Sequence, residues 1–317
     1  MQRVILRRVL QSVPILFGVT IITFGMLVLA PGDPVTLLVS PEQMGAVDIR
    51  ALRRELGLDK PLALQYTTMM AAMGSGRLRS FRERRPIGEM LREALAPTTV
   101  LAATSLVAAI VLALPIALAS ALRPYSLLDH GVTVFSLLGI SLPGFWFALV
   151  LIFVFTDRLG WLPASGIRPV GSTGYGPAAI WPYLIMPTVV LCLSILPFLV
   201  RYARSAILET LHQEYVLVAR SKGLATSRVL IRHVLRNSLI PVVTVLGLLL
   251  PLLLSGSVIA ETIFAVPGIG RLALTGALSR DYPVVITTTL LGAVLIIASN
   301  LVTDISYALL DPRIRYD

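Results

Sequence analysis

The chain is poor in the residues that carry most enzyme chemistry. Its 317 residues include one cysteine and three histidines, and only 14% are charged, where a soluble domain of ordinary make-up carries about 25%. The lone Cys192 excludes a disulfide framework and a thiolate zinc cluster, and it reads as a small buried hydrophobe. His130, His212 and His233 have no metal-ligand spacing with one another. No G-x-x-x-x-G-K-[ST] segment occurs, so no phosphate-binding loop of that kind is available for ATP. Gly268-Ile269-Gly270 shares part of a dinucleotide fingerprint but follows no strand, and it reads as a turn. No catalytic constellation stands out, no metal site is assigned, and no cofactor is expected to be bound by this chain.

What the sequence does have is apolar length. Hydrophobic residues make up 56% of it, and the mean hydropathy is +0.84. A bilayer-spanning helix needs about 20 largely apolar residues. Six stretches qualify: Val9 to Ala30, Pro97 to Leu122, Val132 to Thr156, Ile180 to Val200, Leu239 to Phe264 and Val284 to Leu310. The reading is an all-α polytopic membrane protein with about six transmembrane helices. The first block follows Arg3, Arg7 and Arg8, as a secretory signal would, but signal cores run only about 7–15 apolar residues. This one is longer and leads into Ala30-Pro31-Gly32-Asp33-Pro34, a poor cleavage context, so it is expected to be a retained helix. The chain then divides into residues 1–30 with the first helix, an extended outer loop at 31–95, a transmembrane core at 96–310 and a tail at 311–317.

Orientation follows from Lys and Arg in the short connections. With the N-terminus in the cytoplasm, thirteen cations lie inside: Arg3, Arg7, Arg8, Arg123, the seven between Arg201 and Arg236, and Arg313 and Arg315. Four lie in short outer loops, namely Arg158, Arg168, Arg271 and Arg280. The ten cations of the long outer loop fall outside the rule, which applies to loops of up to about 60 residues. Both termini are therefore expected in the cytoplasm. The net charge of +10 suits anionic lipid surfaces and does not call for nucleic acid.

Two loops have structure of their own. In the outer one, Asp48 can cap a short helix with Ile49, Leu52 and Leu56 on one face, Gly57 at its end and Pro61 beyond. A basic amphipathic piece from Arg77 to Leu95 is expected to lie along the membrane before Pro97 opens the next span. The inner loop, residues 209–238, reads as two short helices at an angle. Tyr215, Val218 and Ala219 share a face of the first, and Gly223 offers a break where positive φ is cheap. Thr226 or Ser227 can cap the second. There Arg228, Arg232 and Arg236 form a basic stripe, with Leu230, Val234 and Leu235 supplying apolar contacts. The shape resembles a DNA-reading helix pair, but a reader needs a face free to enter the major groove, and this pair is clamped between two spans. It suits docking into a partner's groove and transmitting a push.

Within the apolar blocks, Ser141-Leu142-Pro143-Gly144-Phe145-Trp146 reads as a broken or kinked helix, because proline removes a backbone hydrogen bond. Glu261 and Asp304 stand near block ends, where an acid marks an ion path or is hydrogen-bonded locally.

Several segments together resemble one family. Tyr215-Val-Leu-Val-Ala219-Arg220-Ser221-Lys222-Gly223-Leu224, followed by Arg232-His233-Val-Leu-Arg236-Asn237-Ser-Leu-Ile-Pro241, is similar to the cytoplasmic loop of binding-protein-dependent ABC permeases. Leu56-Gly57-Leu58-Asp59-Lys60-Pro61, Phe264-Ala-Val-Pro267-Gly268-Ile-Gly270, Arg280-Asp281-Tyr282-Pro283 and Leu310-Asp311-Pro312-Arg313-Ile314-Arg315-Tyr316 resemble the dipeptide/oligopeptide/nickel branch, in its first permease subunit. Where the superfamily's loop begins Glu-Ala-Ala, this chain has Leu217-Val218-Ala219, a departure that fits the narrower branch and leaves Leu217 without the acidic role.

The resemblance implies a type I ABC importer permease fold in a bacterial inner membrane. It implies a second homologous permease subunit, two ATP-binding subunits that use ATP and magnesium, and an extracytoplasmic substrate-binding protein. Glu214, Tyr215, Val218, Ala219, Arg220, Lys222 and Gly223 would then contact the ATPase, while Ser141, Pro143, Phe145, Trp146 and Glu261 are candidates to line the pathway. The substrate implied is a di- or oligopeptide, with glutathione, nickel chelates or other small solutes as alternatives. An ion-coupled secondary transporter would account for the spans and Glu261 but not for the inner loop or the terminal signature. A non-transporting scaffold predicts no ATP-linked flux at all.

Overall fold

The computed structural model describes residues 2–38, 48–167 and 177–310. The tail 311–317, with Arg313 and Arg315, and also Arg168 and the side chain of Asp304, lie outside the described residues. The first four helices are α1 (Gln2–Leu29), α2 (Pro34–Leu38), α3 (Ile49–Glu55) and α4 (Leu62–Gly74). Next come α5 (Ile87–Leu122), α6 (Leu127–Ser141), α7 (Gly144–Leu151), continued by a π-helical stretch Ile152–Arg158, and α8 (Pro177–Leu211). The short α9 (Glu214–Ser221) and α10 (Thr226–Val229) precede a second π-helical stretch, Leu230–Leu235. The last three are α11 (Arg236–Ile263), α12 (Ile269–Leu278) and α13 (Tyr282–Leu310). Among the described residues, four helices are long and apolar enough to cross a membrane, and six spans result if each of two bent pairs counts as one.

α5 and α8 form the centre. The buried face of α5 is a stripe of small residues (Ala94, Thr98, Ser105, Ala109, Ala113 and Ala117), which lets a neighbouring backbone come close. α8 answers with Leu191, Ile195, Leu199 and Ala203, all buried in the same core. α11 packs on α8 and α13, and α1 packs on α13. Prolines 182, 187 and 197 sit inside α8, which a membrane helix tolerates when its neighbours satisfy the freed carbonyls.

Three local expectations need correcting. Residues 77–95 do not form one amphipathic piece along the surface: Arg79 pairs with Pro86 across a tight loop, and Ile87 already begins α5. The amphipathic face of that segment (Ile87, Met90 and Ala94) is buried in the protein, so its apolar side is used for packing and not for lipid. Pro97 accordingly lies inside α5 and does not open it. Neither Thr226 nor Ser227 caps the second helix of the inner loop; Ala225 holds the N-cap position with φ −55° and ψ 138°, and Thr226 is already helical. In the outer loop, Asp48 does cap α3, accepting from the amides of Arg50 and Ala51 at 2.9 and 3.1 Å.

The turns of the chain gather at two ends. At one, Arg280 donates to the carbonyls of Ala30, Pro31 and Gly32, closing the C-terminus of α1. Asp281, almost fully buried, accepts from the Ser80 hydroxyl and from the amides of Phe81 and Arg82, and it also caps α13 through Val284 N. The Tyr282 hydroxyl donates to Leu27 O at 3.1 Å, and its ring meets Phe24 and Phe81. Three consecutive residues thus tie α1, α13 and the 79–86 loop together; this is the clamp end. At the other end lie the 123–126 turn and the loop carrying α9. Arg123 and the cations from Arg201 to Arg236 belong to the α9 end, while Arg271, Arg280 and the 77–86 arginines belong to the clamp end.

Candidate functional site

α9 is a short helix with a conflicted surface. Val216 and Ala219 are buried, whereas Tyr215, Leu217 and Val218 are about half exposed, so the expected face of Tyr215, Val218 and Ala219 is split between core and surface. Glu214 stands in the first turn, where the helix dipole favours an acid. Arg220 and Lys222 are exposed. The helix ends in a Schellman turn: Gly223 N donates to Arg220 O at 2.9 Å and Leu224 N to Ala219 O at 3.4 Å. That turn needs positive φ, and Gly223 has φ +75°. Beyond it, Val229 and Val234 are both fully buried, five residues apart, as the wider turn of the π-helical stretch allows. Arg228, Arg232 and Arg236 stay exposed. Asn237 Nδ2 donates to the Tyr215 hydroxyl at 3.0 Å, pinning α9 to the first turn of α11.

Directly above this loop is a polar cluster that sequence reasoning missed. Asp129 is 5% exposed and receives Arg204 Nε and Nη2 at 2.6 and 2.7 Å, the Ser120 hydroxyl at 2.5 Å and Tyr125 N at 2.9 Å. The ends of α5, α6 and α8 meet on one carboxylate. A signal was present: Ser126-x-x-Asp129 opening an apolar block is a capping pattern, and Ser126 Oγ does accept from Asp129 N.

The break at Ser141 to Trp146 is observed. Leu142 is extended, with φ −81° and ψ 127°, as a residue before proline prefers, and α7 leaves α6 at a bend of 100°. Ser141, Pro143, Phe145 and Trp146 are all exposed around it.

Glu261 is elsewhere. It is fully buried at the clamp end, where Oε1 accepts from the Thr98 hydroxyl at 2.7 Å and Oε2 from Arg271 N at 3.0 Å. The same Thr98 hydroxyl accepts from Ile269 N at 2.8 Å. The first-turn amides of α12 thus close on an acid at their positive end, the favourable placement for a helix dipole. Gly270 shows why the Gly-Ile-Gly turn is needed: a Cβ there would lie 2.6 Å from Val258 Cα. Glu261 therefore pins the Phe264–Gly270 loop to α5. Beside this knot a cavity of about 850 Å³ opens, lined among others by Arg92, Glu93, Pro97, Leu184 and Arg271.

The comparisons agree with this architecture. Residues 109–316 match the binding-protein-dependent transport system inner membrane component family, and residues 1–101 match the N-terminal part of such membrane components. The chain is 40% identical to the oligopeptide transport system permease protein AppB of Bacillus subtilis, over 98% of this chain and 99% of that one. It is also 40% identical to the di/tripeptide transport system permease protein DppB of Pseudomonas aeruginosa, over 98% of each. Among solved structures, a chain of the MetNI methionine ABC transporter in inward-facing form superposes with a TM-score of 0.59 at 18% identity, covering 72% of this chain and 99% of that one. That likeness bears on the fold, which is that of a type I ABC importer permease. Helices long enough to span, packed around α5 and α8 and matched from end to end, make this chain a member of the binding-protein-dependent transport system inner membrane component family.

Proposed function

We propose that this chain is one of two homologous permease subunits of an importer for di- and oligopeptides, with its termini and α9 in the cytoplasm and the clamp end outside. The observation that carries the substrate class is the end-to-end similarity to permeases named for oligopeptide and di/tripeptide transport. One of two ATP-binding subunits docks on α9 through Glu214, Tyr215, Val218, Arg220 and Lys222, while Gly223 holds the turn that fixes its angle and Ala219 anchors it to the core. These partners bind ATP and magnesium and hydrolyse ATP; this chain supplies the lever. An external binding protein delivers the peptide, and the exposed residues of the broken helix (Ser141, Pro143, Phe145 and Trp146) line the path it takes. Such a transition needs packed elements with two discrete arrangements, which a short helix set by a tight turn can drive.

The test is reconstitution of the four-subunit complex in proteoliposomes with its binding protein. ATP-dependent uptake of labelled trialanine is the expected result. Uptake of an ion-coupled kind, driven by a gradient without ATP, would overturn the reading. Single cysteines in a Cys192→Ala background check the orientation: position 50 should label only from outside.

A further inference from the structure

α6 and α8 run antiparallel and meet at two fixed points. At the α9 end, Arg204 holds Asp129 through two parallel hydrogen bonds. Toward the break, Gly139 backs onto α8 so closely that a Cβ there would sit 2.8 Å from Pro197 Cγ. The points are ten residues apart on α6 and seven on α8, about 10–15 Å along the axes at 1.5 Å per residue. Two contacts at that separation stop one helix from swinging independently of the other.

The ends of this pair differ. Arg204 lies seven residues before Leu211, the last of α8, and only His212 and Gln213 then separate it from α9. α6 ends at Ser141, immediately before the extended Leu142. There the Ser141 hydroxyl donates within its own helix to Leu137 O, and Phe145 and Trp146 are about half exposed, so among the described contacts no side-chain hydrogen bond crosses the break. A stiff pair of helices runs from α9 to a loosely held joint.

We propose that the Asp129–Arg204 pair is a transmission link: it makes α6 and the adjoining part of α8 one lever that carries movement of α9 to the joint at Leu142–Pro143. The inference rests on the coupling role proposed above for α9. Burial makes the link rigid. Each oxygen of Asp129 already receives two donors, so slipping the pair would strand a desolvated carboxylate. Ser120 brings the end of α5 into the same body. Arg204 acts through other residues and is a positioning residue.

The test uses the complete transporter with its binding protein and reads labelled trialanine imported per ATP hydrolysed. Arg204→Gln is expected to lower that ratio about tenfold while ATPase recovery and hydrolysis stay within about threefold, because coupling networks carry effects of this order. Arg204→Lys keeps the charge but not the paired geometry and should fall between. A wild-type ratio in Arg204→Gln overturns the link. If the wild-type complex itself does not couple hydrolysis to uptake, it is the role of α9 that fails instead. A second arm covers loss of assembly: Asp129→Cys with Arg204→Cys in a Cys192→Ala background, bridged by a short bis-methanethiosulfonate reagent, each thiolate forming a disulfide and expelling methanesulfinate. Bridging should restore the ratio; a ratio that stays low, or transport that stops, would mean that the helices must part, and the proposal falls.

Discussion

The two ends of the bundle use their polar side chains in opposite ways. At the clamp end, Glu261 and Asp281 are buried, and both are closed by backbone amides, Glu261 by the first turn of α12 and Asp281 by the 79–86 loop. At the α9 end one buried acid, Asp129, serves three helices, while Arg228, Arg232 and Arg236 and half of the apolar surface of Tyr215, Leu217 and Val218 remain exposed. A carboxylate satisfied by its own chain fixes the loops that donate to it and needs no second molecule. Exposed cations beside exposed apolar residues leave an interface unfinished. The clamp end holds shape within the chain, and the α9 end is shaped to be completed by another.

The largest effect should come from breaking the closed end. Glu261→Ala removes the acceptor for the Thr98 hydroxyl and for the amide of Arg271, and each buried group left unpaired costs about 1–3 kcal/mol. A loss of about 3 kcal/mol or more is expected, read as a lower unfolding midpoint and aggregation in detergent. Glu261→Gln, which keeps one acceptor oxygen, should lose less. Asp281→Ala should behave like Glu261→Ala, since it frees the Ser80 hydroxyl and the amides of Phe81 and Arg82. Wild-type midpoints for both alanine variants would show that the clamp end is no firmer than the other, and the comparison would break.

A smaller effect on stability, with a large one on coupling, is expected at Gly223. Its φ of +75° strains a β-branched residue by about 1–3 kcal/mol. No heavy atom lies within 4 Å of an added Cβ, so any loss in Gly223→Ala is conformational and not steric. Gly223→Val should leave expression and insertion intact, because insertion depends on the apolar spans, but should uncouple hydrolysis from transport or weaken ATPase attachment. Arg236→Gln, which alters the exposed stripe but spares the turn, is the comparison and should have the smaller effect on both. Coupled transport and normal ATPase recovery with Gly223→Val would remove α9 as the lever.

Much of this was legible in the sequence, for reasons that differ by element. The apolar blocks, the Asp48 cap, the turn at Gly223 and the break before Pro143 follow from local rules, each set by a few adjacent residues. The Arg77–Leu95 segment was misjudged because an amphipathic face looks the same whether it meets lipid or protein, and only tertiary packing of Ile87, Met90 and Ala94 decides. For Glu261 the sequence leaves an ion path and local hydrogen bonding both open, because its partners, Thr98 and the α12 amides, lie far along the chain or on the backbone. Asp129 and Arg204 are 75 positions apart, and nothing local announces that two helices will bring them together.

The smallest effect is predicted at Tyr215, and it sharpens the comparison most. Its hydroxyl accepts from Asn237 Nδ2, a bond made at a residue that is 42% exposed. Water can replace such a bond, so Tyr215→Phe should cost under about 1 kcal/mol. Asn237 keeps a partner in any case, since Nδ2 also donates to His233 O at 3.0 Å. If α9 is seated by its buried side, through Val216 and Ala219, the phenylalanine variant should assemble and couple like wild type. Val216→Asp, which buries an unpaired charge at a fully enclosed position, should release α9 from the bundle. The measurement is trialanine imported per ATP hydrolysed, with ATPase co-purification as the second reading. A loss beyond about tenfold with Tyr215→Phe corresponds to about 1.4 kcal/mol, more than an exposed hydrogen bond supplies. That result would mean that α9 is positioned by a polar lock after all, and the two ends of the bundle would then be built on the same principle.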